Sequence, residues 1–241
     1  MVIPALIAAV LGGIINLDSI AIGQSMISRP ICAGPITGIF LGLFYGDIIG
    51  GLSIGLMTGA LLELIWVCLL PLGAVVPPDA SLAAVLASAL SVVLSNEIAV
   101  SPSGALMISL TVAIPMGVVA GKANYAIRRF NICLVRLADS FARRGNARGI
   151  ELVNWAGLGL IFLKAFILIF LAINLLASPL EKFICVLPIR AIRGLDLART
   201  LLPFLGLGAL LGLFVSRKLL KYFLSGFIAG VFVVLFLGIG Q

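Results

Sequence analysis

The sequence predicts an all-α integral membrane protein, a multi-span helical bundle with broken or re-entrant helices and about 7–9 membrane segments. Three observations lead there. Of 241 residues, 62% are hydrophobic and only 10% are charged, whereas soluble domains average roughly 45–50% apolar and about 25% charged. Mean hydropathy is +1.29. The few charges leave long uncharged runs, among them 1–17, 31–46, 48–62, 64–78, 80–96, 98–121, 165–180, 200–216 and 222–241. Too few charges remain to make a polar skin, which excludes a soluble enzyme, a disordered tail and a disulfide-stapled secreted domain.

A straight span takes about 20 apolar residues. Runs 98–121 and 222–241 meet that length, and 152–180 does so if Lys164 faces protein or water. Several other runs are short and rich in Gly and Pro, as in transporters whose helices stop near the midplane to build a site. The N-terminal stretch MVIPALIAAVLGGIINLD has no positive n-region and no small-residue cleavage pattern, so it is expected to be a retained first membrane segment rather than a signal peptide. Segments 16–30 and 63–79 are candidates for re-entrant structure.

The net charge of +7 is unevenly placed. Arg29 is the only basic residue before Lys122. Residues 122–150 then hold Lys122, Arg128, Arg129, Arg136, Arg143, Arg144 and Arg148 against Asp139 alone, seven basic side chains to one acidic, net +6. A basic block between apolar spans marks a cytoplasmic loop, and no nucleic-acid partner is expected. Residues 104–121 would run toward the cytoplasm, 153–177 outward and 200–216 back, with Arg217, Lys218 and Lys221 at a second cytoplasmic turn. Asn96 and Glu97 would fall outside. Within the block, Ile127, Phe130, Leu134, Leu137 and Phe141 predict an amphipathic surface helix over 125–144. It serves either as a connector or as a docking face for a cytoplasmic partner. Pro188 and Gly194 are expected to break any helix across 181–199.

Chemistry is constrained by what is missing. There is no histidine, which removes the commonest metal ligand and general base. Cys32, Cys68, Cys133 and Cys185 stand alone with no CxxC spacing, so metal and redox roles lack support. No catalytic residue, cofactor or metal ligand is assigned.

Ionisable residues inside a membrane are costly and point to function. The first hundred residues hold six: Asp18, Arg29, Asp47, Glu63, Asp79 and Glu97. Gly51, Gly55 and Gly59 precede Glu63 at four-residue spacing, which places the carboxylate near a glycine face that packs closely on protein. It is either a ligand contact or a buried structural carboxylate. Asn16, Asp18, Gln24, Ser25, Ser28 and Arg29 form a polar island between apolar runs. Acids and amides together supply the acceptors and donors that a polyhydroxylated ligand needs, although such an island also suits an ordinary surface loop. Asp79 follows Pro77-Pro78 and precedes the helix-favouring run 80–94, so it reads as an N-cap that also shapes the site. Trp66 is suited to core packing or to stacking on a ring. Lys164 needs an intramembrane partner or a route to the interface.

Taken in order, these residues resemble a known family. The stretches LDSIAIGQSMISRPICAGPITGIFLG (17–42) and GALLELIWVCLLPLGAVVPPDASLAAVLAS (59–88) are similar to the C component (EIIC) of mannose-, fructose- and sorbose-type enzyme II. The matching features are Leu17-Asp18, Arg29-Pro30, Thr37-Gly38, Leu62-Glu63, Gly73-Ala74 and Pro78-Asp79-Ala80, followed by NWAGLGLIFLKA (154–165) and LPIRAIRGLDLA (187–198). The resemblance implies one EIIC membrane domain over 1–241, divisible into a substrate-site half (1–121), the basic segment (122–150) and a second helical half (151–241). It implies a subunit of a phosphoenolpyruvate-dependent sugar phosphotransferase system in the bacterial inner membrane. Its partners would be a D component, a cytoplasmic A/B phosphocarrier that holds the phosphohistidines, the sugar and membrane lipid, assembled as a homotrimer of C–D pairs. By resemblance, Asp18, Gln24 and Glu63 contact sugar hydroxyls, with Asn16, Arg29 and Asp79 nearby. Two competing readings are an ion-coupled secondary transporter using Glu63 or Asp18, and a membrane assembly or sensory protein without transport.

Overall fold

A computed structural model describes residues 1–66, 77–97, 102–214 and 220–237. Among these, the chain forms eight helices: α1 (Val2–Ile20), α2 (Pro30–Tyr45), α3 (Ile48–Trp66), α4 (Ala80–Glu97), α5 (Pro102–Arg143), α6 (Ala147–Val186), α7 (Ile189–Phe214) and α8 (Leu220–Leu237). Five of them, α1, α3, α4, α5 and α6, are long and apolar enough to cross a membrane. Helix α2 has 16 residues, about 24 Å, short of the ~30 Å hydrocarbon layer. Cys68, Gly73-Ala74, Arg217 and Lys218 lie outside the described residues, and so do most of the 63–79 segment and the second cytoplasmic turn.

Helix α4 is the post of the bundle. Every residue from Ser81 to Leu94 is buried, and α1, α2, α3, α5 and α6 all pack on it. Its Ala and Ser side chains make this possible by allowing close approach on all sides. Ser88 Oγ donates to the Gly34 carbonyl at 2.9 Å, tying α4 to α2.

Helices α2 and α3 form the most extensive pair. The four-residue glycine spacing read on α3 meets a matching row on α2. A Cβ on Gly34 or Gly38 would collide with the carbonyl oxygen of Gly55 or Gly51, and the converse also holds. The turn between them uses Gly46 at φ 81°, a left-handed conformation that costs glycine little. Asp47 then caps α3, its Oδ1 accepting from the Gly50 N–H at 2.9 Å.

The helices alternate in direction. One end of the bundle gathers the Met1 amino group, 3.9 Å from Glu97, and the Tyr45 hydroxyl, which donates to Glu97 at 3.0 Å. The opposite end gathers Asn16, Arg29, Glu63 and Asp79.

Two sequence expectations are corrected by the fold. The basic stretch 122–150 is not a loop carrying a separate surface helix. Helix α5 runs unbroken for 42 residues, because Lys122, Ala123 and Asn124 carry the helix on and no proline interrupts them. It reverses at Gly145 (φ 64°), and Asn146 caps α6 by accepting from the Gly149 N–H at 3.0 Å. Ile127, Asn131, Leu134, Ala138 and Phe141 are half-buried along one face of this limb, whereas Phe130 and Leu137 are exposed. Gly149 seats against the Phe141 ring and Gly157 lies beside Leu134, so the two limbs form an antiparallel hairpin. Further on, the chain breaks at Leu187-Pro188 as expected, but α7 continues through Gly194. A glycine costs a helix only about 1 kcal/mol relative to alanine.

Candidate functional site

The site lies where α1, α2, α3 and the segment before α4 converge. Asp18 closes the connection between α1 and α2. Its Oδ1 accepts from the Ser25 N–H at 2.8 Å and the Ser25 hydroxyl at 2.7 Å, and its Oδ2 accepts from the Ser28 N–H at 3.1 Å. This clamp shapes a loop with left-handed residues at Gly23, Gln24 and Met26. The loop delivers Arg29 as the N-cap of α2, with Pro30 at the first helical position, where its missing N–H is no loss.

Arg29 Nη2 lies 3.1 Å from Glu63 Oε1. Glu63 stands one turn beyond the glycine seam, so the close approach of α2 and α3 brings its carboxylate to the N-terminus of α2. Its other oxygen accepts from the Ile31 N–H at 3.4 Å. Unpaired N–H groups and the positive end of the helix dipole favour a carboxylate at this point. Arg29, Pro30, Glu63, Trp66, Pro77, Pro78 and Ala80 line a cavity of about 160 Å³. Trp66 is buried and forms one wall, and the two prolines form another. The prolines lie against α5 at Gly121, while Gly117 accepts a 2.8 Å hydrogen bond from the Asp79 N–H.

Asp79 caps α4, its Oδ1 accepting from the Leu82 N–H at 3.1 Å and from Ser81 Oγ at 2.7 Å. Its larger role is as the centre of a buried network. Lys164 Nζ on α6 pairs with Asp79 Oδ2 at 2.8 Å and donates to Asn124 Oδ1 on α5 at 2.6 Å. Asn124 Nδ2 in turn donates to Asp79 Oδ2 at 3.1 Å. Asn16 Nδ2 on α1 lies 2.9 Å and 3.1 Å from the two carboxylate oxygens and 3.0 Å from Ser81 Oγ. Asn16 is fully buried, and Asp79 and Lys164 nearly so. Four helices are thus tied at one carboxylate, and the neighbouring cavity wall is fixed by it.

The six sequence-selected residues therefore divide into groups. Arg29 and Glu63 meet in the cavity. Asn16 and Asp79 meet behind its wall. Asp18 shapes the loop that carries Arg29, and Gln24 is exposed on that loop at φ 47°. Two participants escaped the sequence reading. Asn124 lay unnoticed inside a stretch dominated by its basic neighbours. The α2 glycines carried the same four-residue spacing as those on α3 and could have been found by it.

Residues 2–239 match the family described as the sorbose-specific IIC component of phosphotransferase systems. The mannose-specific EIIC component of Escherichia coli K12 is 23% identical over 182 residues, covering 74% of this chain. The chain spans 61% of the length of that curated relative. Among solved structures, one of a membrane protein shares 21% identity at a TM-score of 0.69, over 96% of this chain and 87% of that one. A cryo-electron microscopy structure of the mannose transporter ManYZ with microcin E492 shares 21% identity at a TM-score of 0.56, with the same coverage of each chain. At this identity the structural likeness establishes the fold.

Proposed function

The chain belongs to the sorbose-specific IIC family of phosphotransferase-system membrane components, and from that membership we propose that it is the membrane subunit of a phosphoenolpyruvate-dependent sugar phosphotransferase system. With a D component it forms the sugar pathway across the bacterial inner membrane. A cytoplasmic A/B protein supplies the phosphohistidines that this histidine-free chain lacks, and C–D pairs associate as trimers. The basic α5–α6 hairpin lies on the cytoplasmic side by the positive-inside rule. The fold shared with ManYZ supports a D-component partner.

One observation carries the reading: a carboxylate and a guanidinium 3.1 Å apart, beside an indole, in a cavity between apolar helices. A sugar hydroxyl both donates and accepts, so it can donate a hydrogen bond to Glu63 and accept one from Arg29. An indole face suits the apolar face of a sugar ring. Asp18 serves the site by holding the Arg29 loop, Gln24 stands at its rim, and Asn16 and Asp79 hold its back wall. Ion coupling through Glu63 or Asp18 is less well supported, because Glu63 is paired with Arg29 and Asp18 accepts from Ser25 and Ser28.

The test is sugar uptake by cells expressing the chain with its D and A/B partners. Uptake should require phosphoenolpyruvate and yield sugar phosphate. Uptake that persists without phosphoenolpyruvate and collapses with the ion gradient would replace this function with secondary transport.

A further inference from the structure

The length of α5 separates its basic residues into two tiers. Uncharged sequence runs from 98 to 121, so the helix crosses the hydrocarbon layer before its first cation. Lys122 stands about 30 Å along the axis from Pro102, and Arg128 and Arg129 about 40 Å. These heights match the edge of the hydrocarbon and the headgroups of a bilayer about 40–45 Å thick overall. Arg136 stands about 51 Å along the helix and Arg143 about 62 Å. A tilt of about 20° lowers those heights by only about 6%. The end of the hairpin therefore stands clear of the lipid.

Two features of that end need explaining. Arg136, Asp139, Ser140, Arg143 and Arg144 surround a hollow of about 350 Å³, and none of the three guanidinium groups pairs with Asp139. Large apolar side chains are also exposed at this height. Val135 and Leu137 are exposed on α5, and on α6 Leu152 is 70% and Trp155 63% exposed. The α6 pair is level with the end of α5, because Gly149 seats on Phe141 and Gly157 lies beside Leu134. Scattered single apolar residues are ordinary on a surface. Leu137 lies one and two turns before Ser140 and Arg144 on the same side of α5, so it borders the hollow, whereas Trp155 looks out from the far side of α6. A ring of unpaired cations with an apolar edge, above the lipid, marks a protein interface.

We propose that the end of the α5–α6 hairpin is the docking surface for an acidic soluble protein. Carboxylates of the partner enter the Arg136–Arg143–Arg144 hollow, and an apolar patch of the partner covers Leu137 at its edge. Guanidinium forks bind carboxylates in paired, directional hydrogen bonds, and the surrounding charge speeds encounter in a salt-dependent way. Resting on the function proposed above, that partner is the A/B phosphocarrier. Arg128 and Arg129, at headgroup height, belong to the membrane surface.

The test uses the full chain co-purified with its D component in nanodiscs and the purified A/B protein as probe. R136Q/R143Q/R144Q should weaken A/B binding at least about tenfold and flatten its salt dependence, while R128Q/R129Q should change it less than about threefold. Sugar affinity, measured in parallel, should be unchanged in both variants, which also checks that both are folded. Equal A/B binding by the triple variant and wild type would overturn the proposal, and so would equal losses from both sets. Loss of co-purifying anionic phospholipid from the triple variant with A/B affinity intact would make the surface a lipid site instead. A wild-type complex that binds no sugar would strike at the proposed function, and the comparison of the two arginine sets would still decide the docking surface.

Discussion

Two ion pairs sit on opposite sides of one short wall, and they are built differently. Asp79 and Lys164 are 2.8 Å apart with side chains only 3% and 6% exposed. Arg29 and Glu63 are 3.1 Å apart with side chains 55% and 21% exposed. Asp79 accepts from five groups on four helices or their caps, so its bonding capacity is spent. Glu63 has one ion-pair partner and one long backbone contact, and a cavity in front of it. A buried pair persists when good geometry and further hydrogen bonds offset the loss of water around its charges. A half-open pair keeps capacity in reserve. The same two charges thus make a structural tie in one place and a binding site in the other, and the number of matched hydrogen bonds decides which.

The sharpest break of this contrast is Lys164→Met. It leaves the Asp79 charge buried without its counter-ion and should destabilise the fold by about 3–5 kcal/mol, read as a fall in the thermal unfolding midpoint in detergent. The double variant Asp79→Leu with Lys164→Met removes both charges and should recover much of the loss. A single variant as stable as the double would deny the tie its role. Next comes Gly38→Val, which forces α2 from α3 at a cost of about 1–3 kcal/mol. It should also weaken sugar binding without altering either charged residue, because Arg29 and Glu63 ride on different helices of that pair. Unchanged affinity would mean that the seam does not set the site.

Glu63→Gln should lower sugar affinity about tenfold or more, the loss of a charge-assisted hydrogen bond, and leave the unfolding midpoint within a degree or two of wild type. Calorimetric titration that returned the same affinity would remove Glu63 from the site. The smallest effect is expected from Gln24→Ala. An exposed side chain on a loop shaped by Asp18 should alter affinity by less than about twofold, and a larger loss would move Gln24 from the rim into the contact set.

Fold class was legible because composition reports the solvent, and few soluble arrangements can absorb a chain with 10% charged residues. The position of Glu63 was legible because glycine spacing and helical pitch are both local. The fate of Asn16 was not. It lies next to Asp18 in a polar island, and only the third dimension turns it inward to a carboxylate 63 residues away. Lys164 was recognisable as needing a partner, yet nothing local identifies Asp79, 85 residues distant. The basic hairpin was misread for the opposite reason. Charge density suggested a loop, although Lys122 and Ala123 are good helix formers and nothing after Gly121 ends the helix.

The seam between α2 and α3 has a mechanical consequence. Where carbonyl oxygens of one helix touch the α-carbons of the other, no compliant layer of side chains remains to absorb shear. Arg29 is carried by one limb and Glu63 by the other, so their separation is set by two main chains in direct touch. The pair must travel together or not at all, like the jaws of pliers riveted shut, and any displacement of the hairpin relative to the α4 post carries both charges as a unit.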